Sequence, residues 1–326
     1  MPSVELTDIE KEAKFSFVEV TFLVNAERSI LNAAGNSGGN LTELKKTTEI
    51  DGTTRVFVSG TSLKWSIKAY WKDSLKLLRN NDPDLQLSPI DPKTIDAQIS
   101  SSCDEQKYID DDLFGYFSTG KKKSRLAPIK TNGMISIFDS GLATDNLVRF
   151  SPNSDDHSLF DKEISTNIFR SSWAIELDRI GKINDGFNSK ENEKLKDNSF
   201  EIKEKRIKFF FDAIFNLWQR TQQSNYLTNT QPQIMTIICR KDKSLVVGNK
   251  LLIDNKHELM IDPLEEILHY HSDRISLGYI ASHKSFIKNY DDVAKRLNWK
   301  LDNKIIVSDL KKLKDKIMSP NFKFIR

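Results

Sequence analysis

Cysteine is almost missing from this chain. Cys103 and Cys239 are the only two in 326 residues, and they stand too far apart for any zinc-ligand spacing. That excludes a disulfide framework and suits a reducing compartment. No apolar run approaches the roughly 20 residues of a membrane-spanning helix, and residues 1–14 are acidic and charged, unlike a secretory signal. The expectation is a cytoplasmic protein with no membrane partner. Net charge is also small, +3 from 49 basic and 46 acidic residues, so the total names no class of partner.

Catalytic motifs are scarce as well. Gly35-Asn36-Ser37-Gly38-Gly39-Asn40 lacks the Gly-Lys-Ser/Thr ending of a phosphate-binding P-loop. His269 and His271 lie two apart, so on a helix their side chains diverge, which favours a helix-terminal or surface role over metal binding. Asp110-Asp111-Asp112 precedes an apolar turn and reads as an acidic cap before it reads as a divalent-ion site. No nucleophile-base pairing follows from spacing, because such triads are spatial. The sequence therefore predicts no catalytic residue, no metal and no cofactor.

What the chain does have is unevenly distributed charge. Residues 81–117 hold nine acids against Lys93 and Lys107, while residues 295–326 hold ten Lys/Arg against three Asp. An acidic and a basic face follow, and the basic tail is either an exposed helix of solvated lysines or part of a nucleic-acid footprint.

Periodicity supplies the order of elements. Residues 15–24 alternate as a strand, with Val18, Val20, Phe22 and Val24 on one face. Residues 31–55 are rich in Asn, Gly and Thr and read as a long loop. A short strand at Val56-Phe57-Val58 breaks at Ser59-Gly60 and restarts as a helix to about Arg79, with Leu63, Ile67, Trp71 and Leu75 forming an apolar stripe. Lys64, Lys68 and Lys72 rise beside that stripe as a cationic ridge. A polar helix N-terminus next to such a ridge suits phosphate oxygens, and a solvated amphipathic helix is the competing reading. An acidic insert follows, then a basic loop over 118–130 containing Lys121-Lys122-Lys123 and Arg125. Further strands are expected at 134–138, 172–177 and 233–239, and a helix at 202–222 buries Ile207, Phe210, Phe211, Ile214, Leu217 and Trp218. Between them lie a polar excursion over 146–167, turning at Pro152-Asn153-Ser154-Asp155-Asp156, and a charged linker over 184–200. Strand, helix, strand, strand, helix, strand is the ferredoxin-like βαββαβ pattern of an α+β protein.

Several segments carry a resemblance. They are Asn25-Ala26-Glu27, Leu31-Asn32-Ala33, Val58-Ser59-Gly60-Thr61-Ser62-Leu63-Lys64, Asp112-Leu113-Phe114-Gly115-Tyr116, Lys162-Glu163-Ile164-Ser165-Thr166-Asn167 and Ala174-Ile175-Glu176-Leu177-Asp178-Arg179-Ile180-Gly181. In this order, over about residues 15–240, the chain resembles the backbone subunit of Cascade, the type I CRISPR surveillance complex (the DevR, or Cas-seven, family), and within it the type I-B branch. The resemblance implies one domain over 1–326 with a modified RNA-recognition-motif core, a helical insertion at about 80–130 and a β-hairpin thumb at about 143–170. It also implies partners: guide RNA, target DNA through the guide, further copies of the chain and other Cascade subunits. In that family copies line up along the guide and each thumb displaces a base.

Carried onto this sequence, the resemblance makes Arg28, Lys45, Lys46, Ser59, Gly60, Lys64 and Lys68 the candidate RNA-binding residues. Leu159 and Phe160 become candidate thumb wedges, with packing beneath the hairpin as their other possible role. Phe169 and Arg170 fall nearer the base, where a core or scaffold role is favoured. Head-to-tail copies form a heterologous interface, which builds a filament when rotation does not close.

The function implied is a non-catalytic scaffold. One alternative is a pure assembly protein with no direct RNA contact. The other is a metal-dependent endoribonuclease of type III character, since related type III subunits cut with an aspartate in the loop before the Ser-Gly element. Asn40 stands there in this chain, and an amide is neither a general base nor an anionic metal ligand. Asp51 is nearby but off the pattern. Incubated with guide, complementary RNA and Mg²⁺ or Mn²⁺, the assembled protein is expected to leave the target intact on a denaturing gel. Regularly spaced cuts that vanish in Asp51→Ala would instead make Asp51 the catalytic carboxylate.

Overall fold

The structure is a computed structural model describing residues 5–36, 40–78, 82–89, 101–150, 158–183, 196–219, 226–300 and 304–325. Its elements in the first half of the chain are α1 (Asp8–Glu12), β1 (Phe17–Ser29), β2 (Ala33–Asn36), β3 (Leu41–Leu44), β4 (Lys46–Thr48), β5 (Thr54–Val58), α2 (Gly60–Leu78), α3 (Ile109–Phe114), β6 (Tyr116–Ser118), β7 (Lys123–Arg125), β8 (Ile129–Ser136) and β9 (Leu142–Arg149). The second half adds β10 (Ser158–Glu176), α4 (Phe200–Phe215), β11 (Ile234–Arg240), α5 (Ile261–Tyr270), β12 (Ile275–Ser282), α6 (Tyr290–Lys300), β13 (Ile305–Asp309) and α7 (Leu310–Met318).

The main sheet runs β13-β12-β11-β1-β10-β8-β5-β4. Its centre, β11-β1-β10-β8, places the fourth, first, third and second strands of the βαββαβ unit side by side. Each neighbouring pair there is antiparallel. This is the ferredoxin-like order of an RNA-recognition motif. β1 is buried along most of its length because both faces are covered. Val18, Val20, Phe22 and Val24 face the larger core beneath α2 and α4, while Leu23 faces a second core built by residues 247–305. Beneath the helices Trp71 stacks on Phe114 and Phe209 with ring centroids 5.3 and 5.7 Å away, and its Nε1–H donates to the Phe209 carbonyl at 3.1 Å.

Glu19, on the second face, accepts from the N–H groups of Val246, Val247 and Gly248 at 2.6, 3.1 and 2.7 Å. Burial pushes its carboxyl above the usual carboxylate range even though those N–H groups pull the other way. The alternation that marks β1 in the sequence thus has a polar tie on its far side, fastening the C-terminal layer to the sheet.

Several expectations are corrected. The described residues of 31–55 are largely strand and not a loop: β2 and β3 pair with each other, β3 runs parallel to β10, and β4 pairs with β5. These strands are polar because they sit at the margin of the sheet, where the backbone ladder rather than apolar alternation holds them. The excursion over 146–167 is likewise strand at Asn146–Arg149 of β9 and from Ser158 onward, where β10 passes unbroken from the thumb into the sheet centre. Its turn at 152–156 and residues 184–195 of the linker lie outside the described residues. The strand expected at 134–138 starts earlier and bends at Gly133, whose φ of +87° and approach to the Val58 carbonyl exclude any Cβ.

α4 stops at Phe215, where Asn216 donates through Nδ2 to the Asp212 carbonyl at 2.8 Å. Leu217 is buried beyond the helix, and Trp218 is 42% exposed instead of buried on its face. The basic tail is not a free helix. α7 buries Leu310, Leu313 and Ile317, and its Lys316 donates to Glu10 at 2.7 Å while Lys314 donates to Asn216 at 3.0 Å. His269 and His271 lie at the C-terminal end of α5, and no metal-holding group of His, Cys, Asp or Glu occurs among the described residues.

The acidic triplet is the largest departure. Asp110, Asp111 and Asp112 do stand in the first turn of α3, as an acidic cap would, but none is more than 1% exposed. Asp112 accepts from Arg125 Nη2 at 2.5 Å, Arg206 Nη1 at 2.7 Å and the Gly181 N–H at 2.9 Å. Arg125, expected in the basic loop over 118–130, is the buried last residue of the β6–β7 hairpin. Removing one partner of such a buried network leaves uncompensated charge. Asp112→Ala is therefore expected to cost about 3–5 kcal/mol, read as a lowered urea midpoint at unchanged slope.

Candidate nucleic-acid interface

The Ser59-Gly60 element does start a helix, and the structure shows what holds it. Ser59 caps α2: its Oγ accepts from the Ser62 N–H at 3.3 Å, and its carbonyl accepts from the Leu63 N–H at 3.2 Å. Gly60 is required by close packing rather than by a turn conformation. A Cβ there would lie 3.0 Å from the Thr131 carbonyl and 3.1 Å from Thr131 Cγ2 on β8. Behind the cap, the buried Gln219 donates through Nε2 to Ser62 Oγ at 2.6 Å and to the Leu31 carbonyl at 3.2 Å, and accepts from Ser66 Oγ at 2.5 Å. Sequence reading missed Gln219, since a lone amide beyond a helix end carries no pattern.

The lysine ridge does not stand free in solvent. Lys64 is half-buried with Nζ 5.4 Å from the Phe114 ring centre. Burial, and secondarily the neighbouring Lys68, hold its ammonium below the usual lysine range. Lys68 lies 3.0 Å from Asp110 Oδ2, with the two side chains 19% and 0% exposed. The structure thus brings Lys64 and Lys68 together against the acidic insertion, while Lys72 is exposed further along.

The other candidates sit at the root of the thumb. Lys46 lies 3.0 Å from Glu163 Oε1 and 3.7 Å from Glu43, and Glu163 Oε2 also accepts from the Leu44 N–H at 2.9 Å. Lys46 thereby joins β4 to the thumb strand. Lys45 is half-buried, and no ion pair holds it among the described residues. Arg28 is exposed at a bulge of β1 with φ of +43°, and its N–H donates to Thr166 Oγ1 at 2.9 Å. Asn40, also exposed, accepts at its carbonyl from the Asp161 N–H at 2.9 Å; Gly38 and Gly39 lie outside the described residues. Asp51 ends a turn by accepting from the Thr53 N–H at 2.9 Å, and the Thr53 hydroxyl and N–H hold its carboxyl below the usual range.

On the thumb, Leu159 faces Val148 across the ladder and the two are 60% and 46% exposed. Phe160 is half-buried opposite Leu147, with Lys162 Nζ 5.8 Å from its ring centre. Phe169 is fully buried in the larger core. Arg170, one residue on, points the other way. It lines a cleft of about 360 Å³ with Arg55, Ile135, Ile137 and the Glu49–Asp51 turn. Neither arginine was singled out as a binding residue by sequence: each stands alone in its segment, and only strand pairing brings them together.

A four-strand antiparallel centre with two helices on one face defines a protein with an RNA-recognition-motif-like fold, here extended by a hairpin thumb. Residues 18–258 match the model of the family described as CRISPR-associated negative auto-regulator DevR/Csa2, and the chain belongs to that family. Two solved structures share the fold. A chain of a "CRISPR RNA-guided surveillance complex" is 13% identical, with TM-score 0.53, covering 82% of this chain and 88% of that one. A chain of a "CRISPR RNA-guided surveillance complex, pre-nicking" is 12% identical, with TM-score 0.58, covering 94% and 100%. No curated protein matches the sequence.

The Lys68–Asp110 contact separates a structural lysine from a surface one. Lys68→Ala leaves a buried carboxylate without its cation and is expected to lower stability by about 1–3 kcal/mol. Lys72→Ala, at an exposed position, is expected to stay within about 0.5 kcal/mol of the parent. Thermal melts of the two variants side by side check the difference.

Proposed function

We propose that the chain is the backbone subunit of a type I CRISPR RNA-guided surveillance complex, of the type I-B branch. The family match over residues 18–258 carries this reading. Copies line up head to tail along a guide RNA and hold it for pairing with target DNA. A guide that must stay readable is best held through phosphates and 2′-hydroxyls, leaving its pairing edges to supply specificity. The thumb suits this kind of grip, because exposed apolar residues at Val148 and Leu159 stand on a hairpin whose root is tied down by Glu163 and Lys46. Inserted into a strand, such side chains unstack a base without hydrogen-bonding its edges. Arg28 and Lys45 at the thumb root are the candidates left for phosphate contact, with Lys46, Lys64 and Lys68 engaged within the fold.

The role is that of a scaffold without a cleavage step. The position expected to hold a cutting carboxylate is Asn40, and Asp51 closes its own turn.

Co-expressed with a guide and its partner subunits, the chain is expected to elute as a multi-copy particle with protected RNA, visible as a repeating backbone by electron microscopy. A strictly monomeric chain free of nucleic acid under those conditions would overturn the reading.

A further inference from the structure

The face of the sheet opposite α2 and α4 is only partly covered by the C-terminal layer, and its open part carries two arginines. β5 pairs with β8 at Phe57 and Ile135, and β8 pairs with β10 at Ile135 and Arg170. Phe57, Ile135 and Arg170 therefore form one row across three strands. Arg55 lies two residues from Phe57 and so shares its face. The intervening Val56, with Val58, Met134 and Phe169, points into the helix-covered core.

Both guanidiniums are held in place by neutral groups. Arg55 Nη1 donates to the Ile137 carbonyl and Arg170 Nη1 donates to the Asn249 carbonyl, the latter at 3.0 Å. Each arginine has five N–H donors, so most remain for a ligand. Among the described residues no carboxylate lies within ion-pair distance of either. Glu49 and Asp51 occupy the turn that borders the same cleft. Asp51 accepts from the Thr53 N–H through Oδ1 and also feels the charge of Arg55 without reaching ion-pair distance.

Two half-buried like charges sharing one cleft are mutually unfavourable. Burial, and then Arg55, press the Arg170 guanidinium toward its neutral form, while Glu49 at the rim pulls the other way. An anion seated between the two would reverse that penalty and satisfy the free donors, and arginine pairs suit the tetrahedral oxygens of a phosphate.

We infer that the Arg55–Arg170 cleft is a phosphate-binding subsite for single-stranded RNA, so that the strand crosses the open face over β5, β8 and β10. This rests on the proposed RNA-binding role and deepens it, because it moves phosphate contact away from the lysines of α2. The cleft opens along the surface instead of closing into a cavity, which suits a diester within a continuous strand more than a free phosphate ion.

The test is fluorescence anisotropy of the full chain with labelled single-stranded RNA across a range of NaCl concentrations. Arg55→Gln and Arg170→Gln are each expected to flatten the log–log salt slope by about 0.7. Arg55→Lys with Arg170→Lys keeps both charges and is expected to retain the slope while weakening binding through lost fork geometry. Glu49→Gln with Asp51→Asn removes negative charge at the cleft and is expected to tighten binding. A thermal melt of each variant reports folding, and the lysine and acid variants still decide the matter if a glutamine variant unfolds.

Wild-type RNA binding with an unchanged slope in both folded glutamine variants would overturn the subsite while leaving the RNA-binding role intact. So would acid variants that bind no tighter, or a lysine variant indistinguishable from wild type. Saturable, arginine-dependent binding of inorganic phosphate without any arginine-dependent RNA binding would assign the cleft to a free anion and overturn it as well. A wild-type chain that binds no RNA would overturn the proposed function itself.

Discussion

β10 is a single strand of 19 residues, about 60 Å long at roughly 3.3 Å per residue. That is longer than its neighbours in the sheet. Its C-terminal part lies between β1 and β8 and carries Trp173 and Ile175 into the larger core. Its N-terminal part has no such cover and pairs with β9 to make the thumb. Because the same backbone ladder continues from one part to the other, the thumb cannot rotate without disturbing the sheet centre. Three further ties stiffen the junction: the Asp161 N–H on the Asn40 carbonyl, Glu163 with Lys46, and Glu163 with the Leu44 N–H. The thumb is therefore a stiff extension of the sheet and not a hairpin free to swing.

The second organising feature is buried charge. Asp112 draws Arg125 from the β6–β7 hairpin, Arg206 from α4 and the Gly181 backbone into one network, so the acidic insertion is stitched to the core helices. Asp110 reaches α2 through Lys68. The strong negative charge of residues 81–117 therefore does not make a simple acidic face, because its best-placed carboxylates neutralise cations of the fold. Lysines that look available on a helical wheel become structural for the same reason. The cations left for a ligand are those whose partners are neutral or few, which moves attention from α2 to the thumb root and the arginine cleft.

The C-terminal layer has a matching role. Glu19 on the central strand binds three successive loop N–H groups, and Leu23, Ile234 and Ile238 pack against the second core. This closes one end of the sheet face on which RNA-recognition motifs commonly stack bases. The end beside β5 and β8 stays open. That open end carries the Arg55–Arg170 cleft.

The sequence by itself determined the repeating architecture of the centre. Apolar alternation in β1, the stripe Leu63-Ile67-Trp71 and the aromatic run Phe209-Phe210-Phe211 of α4 are local patterns, and each specified an element that packs as its period requires. The helix start at Ser59-Gly60 was equally legible, because polar residues just ahead of an apolar stripe mark it locally. That Ser59 is the residue that caps it was decided by the structure. Ordered motifs identified the family over much the same span that the family model matches. Only the tertiary structure decided the rest. The polar strands between residues 31 and 55 and the outer part of β10 bury only isolated positions such as Leu44, so no alternation marks them. Asp112, Arg125 and Arg206 come together from separate segments, as do Arg55 and Arg170 from β5 and β10. Whether a charged side chain is ligand, scaffold or solvent-facing depends on which other charges the fold brings within a few ångströms. That is set by packing between distant segments, and no spacing along the chain encodes it.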